Sequence, residues 1–410
     1  METKIRVLWF SVTPSLYDEK SYGGWVASLE RIIRRYGSHM ELGIAFEHTD
    51  TCFKQIKDGV TYYPINKVKS KLGKIRLMLD YNYEWDLLKP CMLDIIEDFK
   101  PDIIQCFGTE WPFGLIGDFT KVPVVIHMQG FSTIYSLSCS MVYRNLDVYK
   151  YLHYNPFSIF RYKYRSLKNS KAEFRENKIM KISRFYMGRT EWDKNIVKYF
   201  NPYAKYYHCE EALRSEIINS PYSWKYQERK QMRIITISSA SSLKGNELIL
   251  RTAQLLKKFG FEFEWRVAGS KDSFLFSEKK IGINHVNLGI KLIGRIEANA
   301  VAKELAEADV YVHTAIIDNS PNSLCEAQYI GCPVLSTFVG GIPQLVEDGK
   351  TGLFYPYNEP YTLAFKLMNI FQNVKLLSYL SKNEILVSHN RHNDESIFLQ
   401  LFNIYKDILK

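Results

Sequence analysis

DVYVHTAIIDNSPNSLCEAQYIGCPVLST, residues 309–337, holds a complete structural sentence. DVYVH is rich in β-branched and aromatic side chains and reads as a strand. TAIIDNSPNS is polar and carries Pro321, so it reads as a loop. LCEAQYIG reads as a helix stopped by Gly331, and PVLST as a second strand. Strand, crossover helix and strand in so short a span form the βαβ unit of a parallel sheet. Two carboxylates, Asp318 and Glu326, stand eight positions apart at the two ends of its loop. The N–H groups of the loop and of the helix N-terminus would face an anion there.

The same rhythm runs outward in both directions. Upstream, RIITISS, FEWRVAG and IKLIG read as strands, with ELILRTAQLLKKFG and AVAKELAEA as helices. In the first half IRVLWF, LGIAF, DIIQCF and VPVVIHMQGF read as buried strands. Between the first two of these, Val26, Leu29, Ile33 and Tyr36 fall at helical spacing before Gly37. The expected architecture is therefore α/β, with two parallel-sheet domains in series. The boundary is expected near Pro221, giving domains 1–220 and 221–392. The tail, about 393–410, is an amphipathic helix and a candidate to pack back on the first domain.

The 410 residues exceed one ordinary core, which agrees with two domains. No apolar run approaches the ~18–20 residues of a spanning helix. The seven cysteines form no C-x-x-C pair, so neither a disulfide framework nor a zinc site is expected, and a reducing cytoplasm fits best. The net charge of +10 suits an anionic partner. Two basic segments share one ambiguity. Residues 142–171 are crowded with Tyr, Phe, Arg and Lys and hold one acid, Asp147. Residues 67–76 carry Lys67, Lys69, Lys71, Lys74 and Arg76. Either suits a membrane surface or a single-stranded nucleic acid, or is a helical excursion packed on its own domain.

Three other glycine-bearing loops follow strands. In YGGWVASLE, Gly23 and Gly24 separate the first strand from the first helix. In SSLKGNELIL, Lys244 and Gly245 follow the first strand of the second domain, where a lysine can meet a diphosphate. Gly340 and Gly341 follow PVLST. No full G-x-G-x-x-G is present, so a nicotinamide site has weak support. Glu326, one turn into its helix, could accept from two neighbouring hydroxyls such as those of a ribose.

These residues carry a resemblance. D-x7-E ahead of GCPV, followed by VGGIPQLVEDGKTGLF, resembles the nucleotide-sugar signature of the glycogen-synthase-like retaining glycosyltransferases. YGGWVASL, VIHMQGF and LKGNELIL resemble the glycine loop, histidine segment and lysine-glycine phosphate motif of that family. GRTEWDKNIVKYFNPYAKYY resembles a segment of members that build bacterial surface polysaccharides. The resemblance implies the GT-B architecture of two Rossmann-like domains. It implies transfer of a sugar, with retention and without a metal, from a UDP- or GDP-sugar to a glycan or lipid-diphosphate-linked glycan. No further cofactor and no nucleic acid are implied. Contact with an anionic membrane at the inner face of the cell would suit such an acceptor. The first domain would bind the acceptor, with residues 142–171 as a candidate contact.

Residue by residue, the resemblance gives Glu326 the ribose hydroxyls and Asp318 hydroxyls of the transferred sugar. Lys244 would bind the diphosphate and stabilise its departure, with Gly245 beside it. Asn319, Ser320, Pro321, Asn322, Ser323 and Leu324 would present polar groups to sugar and phosphates. His127 would touch the sugar, and Gly23 and Gly24 would lie under it or under the diphosphate. Two departures stand out. An arginine is usual five positions before the lysine, and here Ser239 stands there, with Arg266 or Arg295 as candidate replacements. Asp318 is a methylene shorter than the usual glutamate. The rival reading is a weak or inactive sugar-nucleotide-binding protein with a scaffold role.

Overall fold

The computed structural model describes residues 4–17, 24–48, 53–68, 70–80, 82–142, 144–238 and 241–410. They divide into two compact units. The first comprises residues 1–134, 160–212 and 392–410, the second 135–159 and 213–391.

The first unit carries β1 (Ile5–Ser11), β2 (Met40–His48), β3 (Gln55–Lys57), β4 (Val60–Asn66), β5 (Ile103–Phe107), β6 (Val124–His127), β7 (Phe185–Gly188) and β8 (Lys205–His208). Their order is β3-β4-β2-β1-β5-β6-β7-β8. All pairings are parallel except β3 on β4, a short hairpin turned at Asp58 and Gly59, both at positive φ. The alternation of β1 shows why the strand forms. Val7 and Trp9 enter one core and Leu8 and Phe10 the core on the opposite face. The first face is covered by the helix Gly24–Tyr36 through Val26, Leu29 and Ile33, and by the last helix, Asp394–Ile408. That helix contributes Ile397, Leu401, Ile404 and Tyr405, each at most 5% exposed.

The second unit carries β9 (Met232–Ser238), β10 (Phe263–Gly269), β11 (Ile290–Gly294), β12 (Val310–His313), β13 (Val334–Thr337) and β14 (Leu353–Tyr355). The order is β11-β10-β9-β12-β13-β14, all parallel. Burial on both faces explains why β9, β12 and β13 read as continuous apolar runs.

In each sheet the strand order reverses at one place. In the first unit it lies between β1 and β5, in the second between β9 and β12. Crevices outside the carboxyl ends of such strand pairs are where open α/β sheets bind ligands.

The sequence reading places residues 135–159 with the first domain, but they cluster with the second unit. Tyr151 meets Phe276 edge to face at 4.6 Å, and Lys280 Nζ donates to Val142 O at 3.1 Å. Both partners lie on the helix Lys271–Ile281, so local amphipathicity could not reveal them. Farther along, Phe157 and Phe160 remain 76% and 65% exposed. Among the described residues no helix is long and apolar enough to cross a membrane.

Candidate functional site

The crevice of the second unit is built by two loops sewn together. After β9 the chain turns through Lys244 into Gly245, whose φ is +68°. A Cβ on Gly245 would lie 1.8 Å from Thr314 O, so only glycine lets the loop after β9 meet the loop after β12. Thr314 Oγ1 donates to Lys244 O at 2.6 Å, and Ile316 N to Leu243 O at 2.8 Å. Gly340 serves the far side. Its φ is +54°, and a Cβ there would lie 1.9 Å from Asp318 O, which instead accepts from Gly341 N at 3.0 Å. The glycines that read as ligand-facing are thus required first by the neighbouring backbone.

This stitching brings Lys244 and Asp318 into an ion pair across the crevice. His313, the last residue of β12, lies with Nε2 3.3 Å from the same Asp318 oxygen, Oδ2, an electrostatic contact without the alignment of a hydrogen bond. Its Nδ1 is 3.0 Å from Tyr311 Oη, which is 2.8 Å from Ser323 Oγ. Burial lowers the pKa of His313, reinforced by the Lys244 charge and opposed by Asp318, so the ring is neutral. A carboxylate only accepts, so the single ring proton sits on Nε2. Nδ1 then accepts from Tyr311, and Tyr311 from Ser323. Burial alone would raise the Asp318 carboxyl. The Lys244 ammonium and the neighbouring His313 ring outweigh it and hold the group far below its ordinary range.

Glu326 is 2% exposed, on the helix Asn322–Ile330. Arg214 grips it in a fork, Nε to Oε1 and Nη2 to Oε2, both at 2.8 Å. The bidentate geometry fixes the plane of the carboxylate. Asn319 and Leu324 are buried, Asp318 Oδ1 accepts from Asn319 N at 3.1 Å, and Pro321 precedes the helix. The two carboxylates therefore have separate cationic holders, Lys244 and Arg214.

In the first unit His127 closes β6 and is 1% exposed. Burial, then the Arg189 charge, lowers its pKa well below the usual value. Gln105 Nε2 is 3.2 Å from its Nδ1, and Gln105 Oε1 accepts from Tyr405, whose oxygen accepts from Trp9 Nε1 at 3.2 Å. The His127 proton is therefore on Nε2, which is buried and finds no hydrogen-bond partner. Trp25, next to Gly24, lies edge-on to His127 at 4.7 Å and beneath the Arg189 guanidinium at 4.8 Å. At Gly24 φ is +54°, and a Cβ would meet nothing within 4 Å.

Gly23 and Ser239 lie outside the described residues. Arg266 is engaged elsewhere, in a two-pronged pair with Glu304 at 2.6 Å per contact and in a contact with Glu264. Arg295 is exposed, just beyond the carboxyl end of β11. Sequence reasoning missed Arg214, His313, Tyr311 and Arg189. Arg214 and Glu326 are 112 positions apart, so nothing local announces the pair. His313 did leave a signal, because a histidine ends DVYVH as another ends VVIH. Among the described residues no group of three His, Cys, Asp or Glu side chains is placed to hold a metal ion.

With this geometry in hand, the relatives can be placed. Residues 221–386 match the family of glycosyl transferases group 1. Over 147 residues, 34% of this chain and 36% of the relative, the chain is 26% identical to the amylovoran biosynthesis glycosyltransferase AmsK of Erwinia amylovora. Over 142 residues, 33% and 35% of the two chains, it is 29% identical to the putative colanic acid biosynthesis glycosyltransferase WcaL of Salmonella typhimurium. These matches span about a third of the relatives' length. Sucrose-phosphate synthase from Thermosynechococcus elongatus superposes over 99% of both chains, with TM-score 0.73 at 13% identity. The Anabaena protein HepE, solved in complex with UDP-glucose, covers 98% of this chain and 100% of its own, with TM-score 0.64 at 13% identity. The fold is that of GT-B proteins, two Rossmann-like parallel-sheet domains.

Proposed function

We propose that the protein transfers a sugar, with retention, from a UDP- or GDP-sugar to a glycan or lipid-linked glycan during synthesis of a bacterial surface polysaccharide. The observation that carries this reading is the meeting of Lys244 and Asp318 at the β9/β12 crevice. A preorganised cation stands there beside a hydroxyl acceptor. The family match of residues 221–386 and the polysaccharide roles of AmsK and WcaL support it.

Glycosyl transfer requires an anionic diphosphate to depart from an oxocarbenium-like carbon. Positive charge and N–H dipoles fixed in advance stabilise that departure. Lys244 exchanges Asp318 for a phosphate oxygen, and the N-terminal N–H groups of the helix Asn322–Ile330 add their dipoles. Asp318 stays anchored by His313 and accepts from a hydroxyl of the sugar. Glu326, its plane set by Arg214, accepts from the two ribose hydroxyls. Neither carboxylate acts as acid or base, since the acceptor hydroxyl gives its proton to the leaving diphosphate. The exposed aromatics near Phe157 and Phe160 suit an acceptor held at an anionic membrane.

A thermal-shift series with UDP, GDP and their sugars tests the reading. Ligand binding to the folded state raises the apparent melting temperature. One nucleotide is expected to raise it by several degrees at a hundredfold excess over its Kd. No shift with any of them would refute a nucleotide-sugar site.

A further inference from the structure

The crevice of the first unit contains a carboxylate to which the family resemblance gives no role. Beyond β5 the chain reads Gly108, Thr109, Glu110. Gly108 has a φ of +77°, and a Cβ there would lie 2.2 Å from Glu110 Oε2, so glycine leaves the room that this carboxylate occupies. The surrounding backbone is fastened. Gly108 N donates to His127 O at 2.8 Å, and Thr109 Oγ1 to Glu176 Oε1 at 2.7 Å. Glu110 O accepts from Arg175 Nη2 at 2.6 Å, and Arg175 is itself paired with Glu84. Yet Glu110 Oε2 is buried with no hydrogen-bond partner.

On the adjacent strand end His127 Nε2 is in the same condition. An unmade hydrogen bond on a buried group costs about 1–3 kcal/mol. Two such atoms, one acceptor and one N–H donor, occupy neighbouring strand ends beside the β1/β5 reversal. A hydroxyl both donates and accepts, so it has the chemistry that two such groups lack. Burial pushes the Glu110 carboxyl up to about 7, with Glu176 adding to the rise and the backbone N–H groups of Glu110 and Thr109, then Arg189, opposing it. Near neutral pH it can therefore meet a hydroxyl in either protonation state.

We propose that Glu110, with His127, forms a carbohydrate-hydroxyl subsite in the first unit and holds a sugar hydroxyl of the acceptor. Naming the ligand as acceptor, and so giving His127 to it instead of to the transferred sugar, rests on the glycosyl-transfer reading, in which Asp318 already serves the donor sugar. The hydroxyl subsite itself stands on Gly108, Glu110 and His127.

Saturation-transfer difference NMR with octyl glucoside, galactoside and mannoside, without nucleotide, tests it on wild type, Glu110→Ala and Glu110→Gln. Calorimetry with UDP and UDP-glucose is run on the same samples. At least one glycoside is expected to receive saturation from the wild type. Glu110→Ala is expected to weaken that binding at least tenfold and the near-isosteric Glu110→Gln by less, with the Kd for UDP within twofold throughout. A wild type that binds a glycoside but no UDP would keep the subsite and remove the donor reading. The proposal is overturned if no glycoside binds, or if Glu110→Ala leaves glycoside binding intact. It is equally overturned if the loss is confined to UDP-glucose relative to UDP, which would assign Glu110 to the donor sugar.

Discussion

His127 and His313 occupy like positions, each the last residue of a central parallel strand, each buried and neutral. Each has its Nδ1 set by a chain that includes a buried tyrosine, and each therefore carries its proton on Nε2. Beyond the ring the two units part. In the second unit Nε2 makes no aligned hydrogen bond, but it lies 3.3 Å from the Asp318 carboxylate, which pairs with Lys244, so a row of five side chains from Ser323 ends on a cation. In the first unit Nε2 has neither a hydrogen-bond partner nor a paired carboxylate, and beyond the neighbouring strand end Glu110 Oε2 has no hydrogen-bond partner. The same backbone device serves opposite ends. One histidine completes an internal network that pins a charge. The other holds a donor in reserve.

Four experiments press on that contrast. The largest effect is expected from Lys244→Ala. It removes the cation on which the second network ends, and transfer should fall by roughly a thousandfold, as when one preorganised donor is lost at a developing oxyanion. Steady-state kinetics with the identified donor would show it, and unchanged kcat would end the assignment of Lys244 to the leaving group.

The unmet carboxylate should report through pH. The folded-state pKa of Glu110 is raised from 4.5 to about 7 by burial, with Glu176 adding and the backbone N–H groups of Glu110 and Thr109, then Arg189, opposing. Arg175 engages its backbone oxygen, and neutral His127 stands on the next strand. The protonated form is therefore the one the fold prefers. Its stabilising effect is complete below about 4.5 and is lost as pH rises toward 7. Glu110→Gln has no such loss. Its stability relative to wild type should climb across that window by up to about 3 kcal/mol, at ~1.4 kcal/mol per pKa unit. Urea titrations at successive pH values measure the slope, and a flat difference would mean the carboxylate is not confined as described.

Arg214→Ala leaves the Glu326 carboxylate without its fork. Part of the guanidinium is exposed (30%), so solvent screens some of the pair. UDP affinity is expected to fall ten- to a hundredfold, about 1.4–2.7 kcal/mol. Preference for UDP over its 2′-deoxy analogue should shrink with it, and Arg214→Lys should recover only part, because a lysine cannot reproduce the fork. If the preference persisted in Arg214→Ala, Glu326 would not need orienting.

The smallest effect compares the two tyrosines. Tyr405→Phe unties Gln105 from Trp9, and nothing on Nε2 compensates, so His127 should become a mixture of tautomers. Tyr311→Phe should leave His313 in one form, because the Asp318 carboxylate 3.3 Å from Nε2 still favours the proton there. Ring nitrogen shifts distinguish the outcomes, and each variant should lose about 1 kcal/mol. Identical behaviour of the two rings would dissolve the comparison.

Local pattern made the strands β1, β2, β5, β6 and β9–β13 legible, because burial on both faces writes itself as short apolar runs. Five strands left weaker marks. Pro64 argues against β4, yet β3 pairs only as far as Tyr62, so at Pro64 that side of β4 is an edge that tolerates a missing N–H. The strands β3, β7, β8 and β14 are three or four residues long. Lys244 and Asp318 were legible as candidates because motif and loop position converge on them. Their pairing was not, nor was Arg214, since contacts between residues 74 and 112 positions apart have no local signature. Glu110 was hidden differently. It sits in an ordinary turn and gains its character only from the burial around it.

The helix Asp394–Ile408 has a consequence for how the chain is made. It supplies Ile397, Leu401, Ile404 and Tyr405 to the core that begins with Val7. Domains usually fold in the order they leave the ribosome, N-terminal first. Here the first unit cannot close its core until the helix Asp394–Ile408 has emerged, whereas the second has all its parts by residue 391. The unit translated earlier is completed later, and until then the apolar face that the helix Gly24–Tyr36 covers only in part stays open. That interval, rather than the finished fold, is where the chain is most exposed to aggregation.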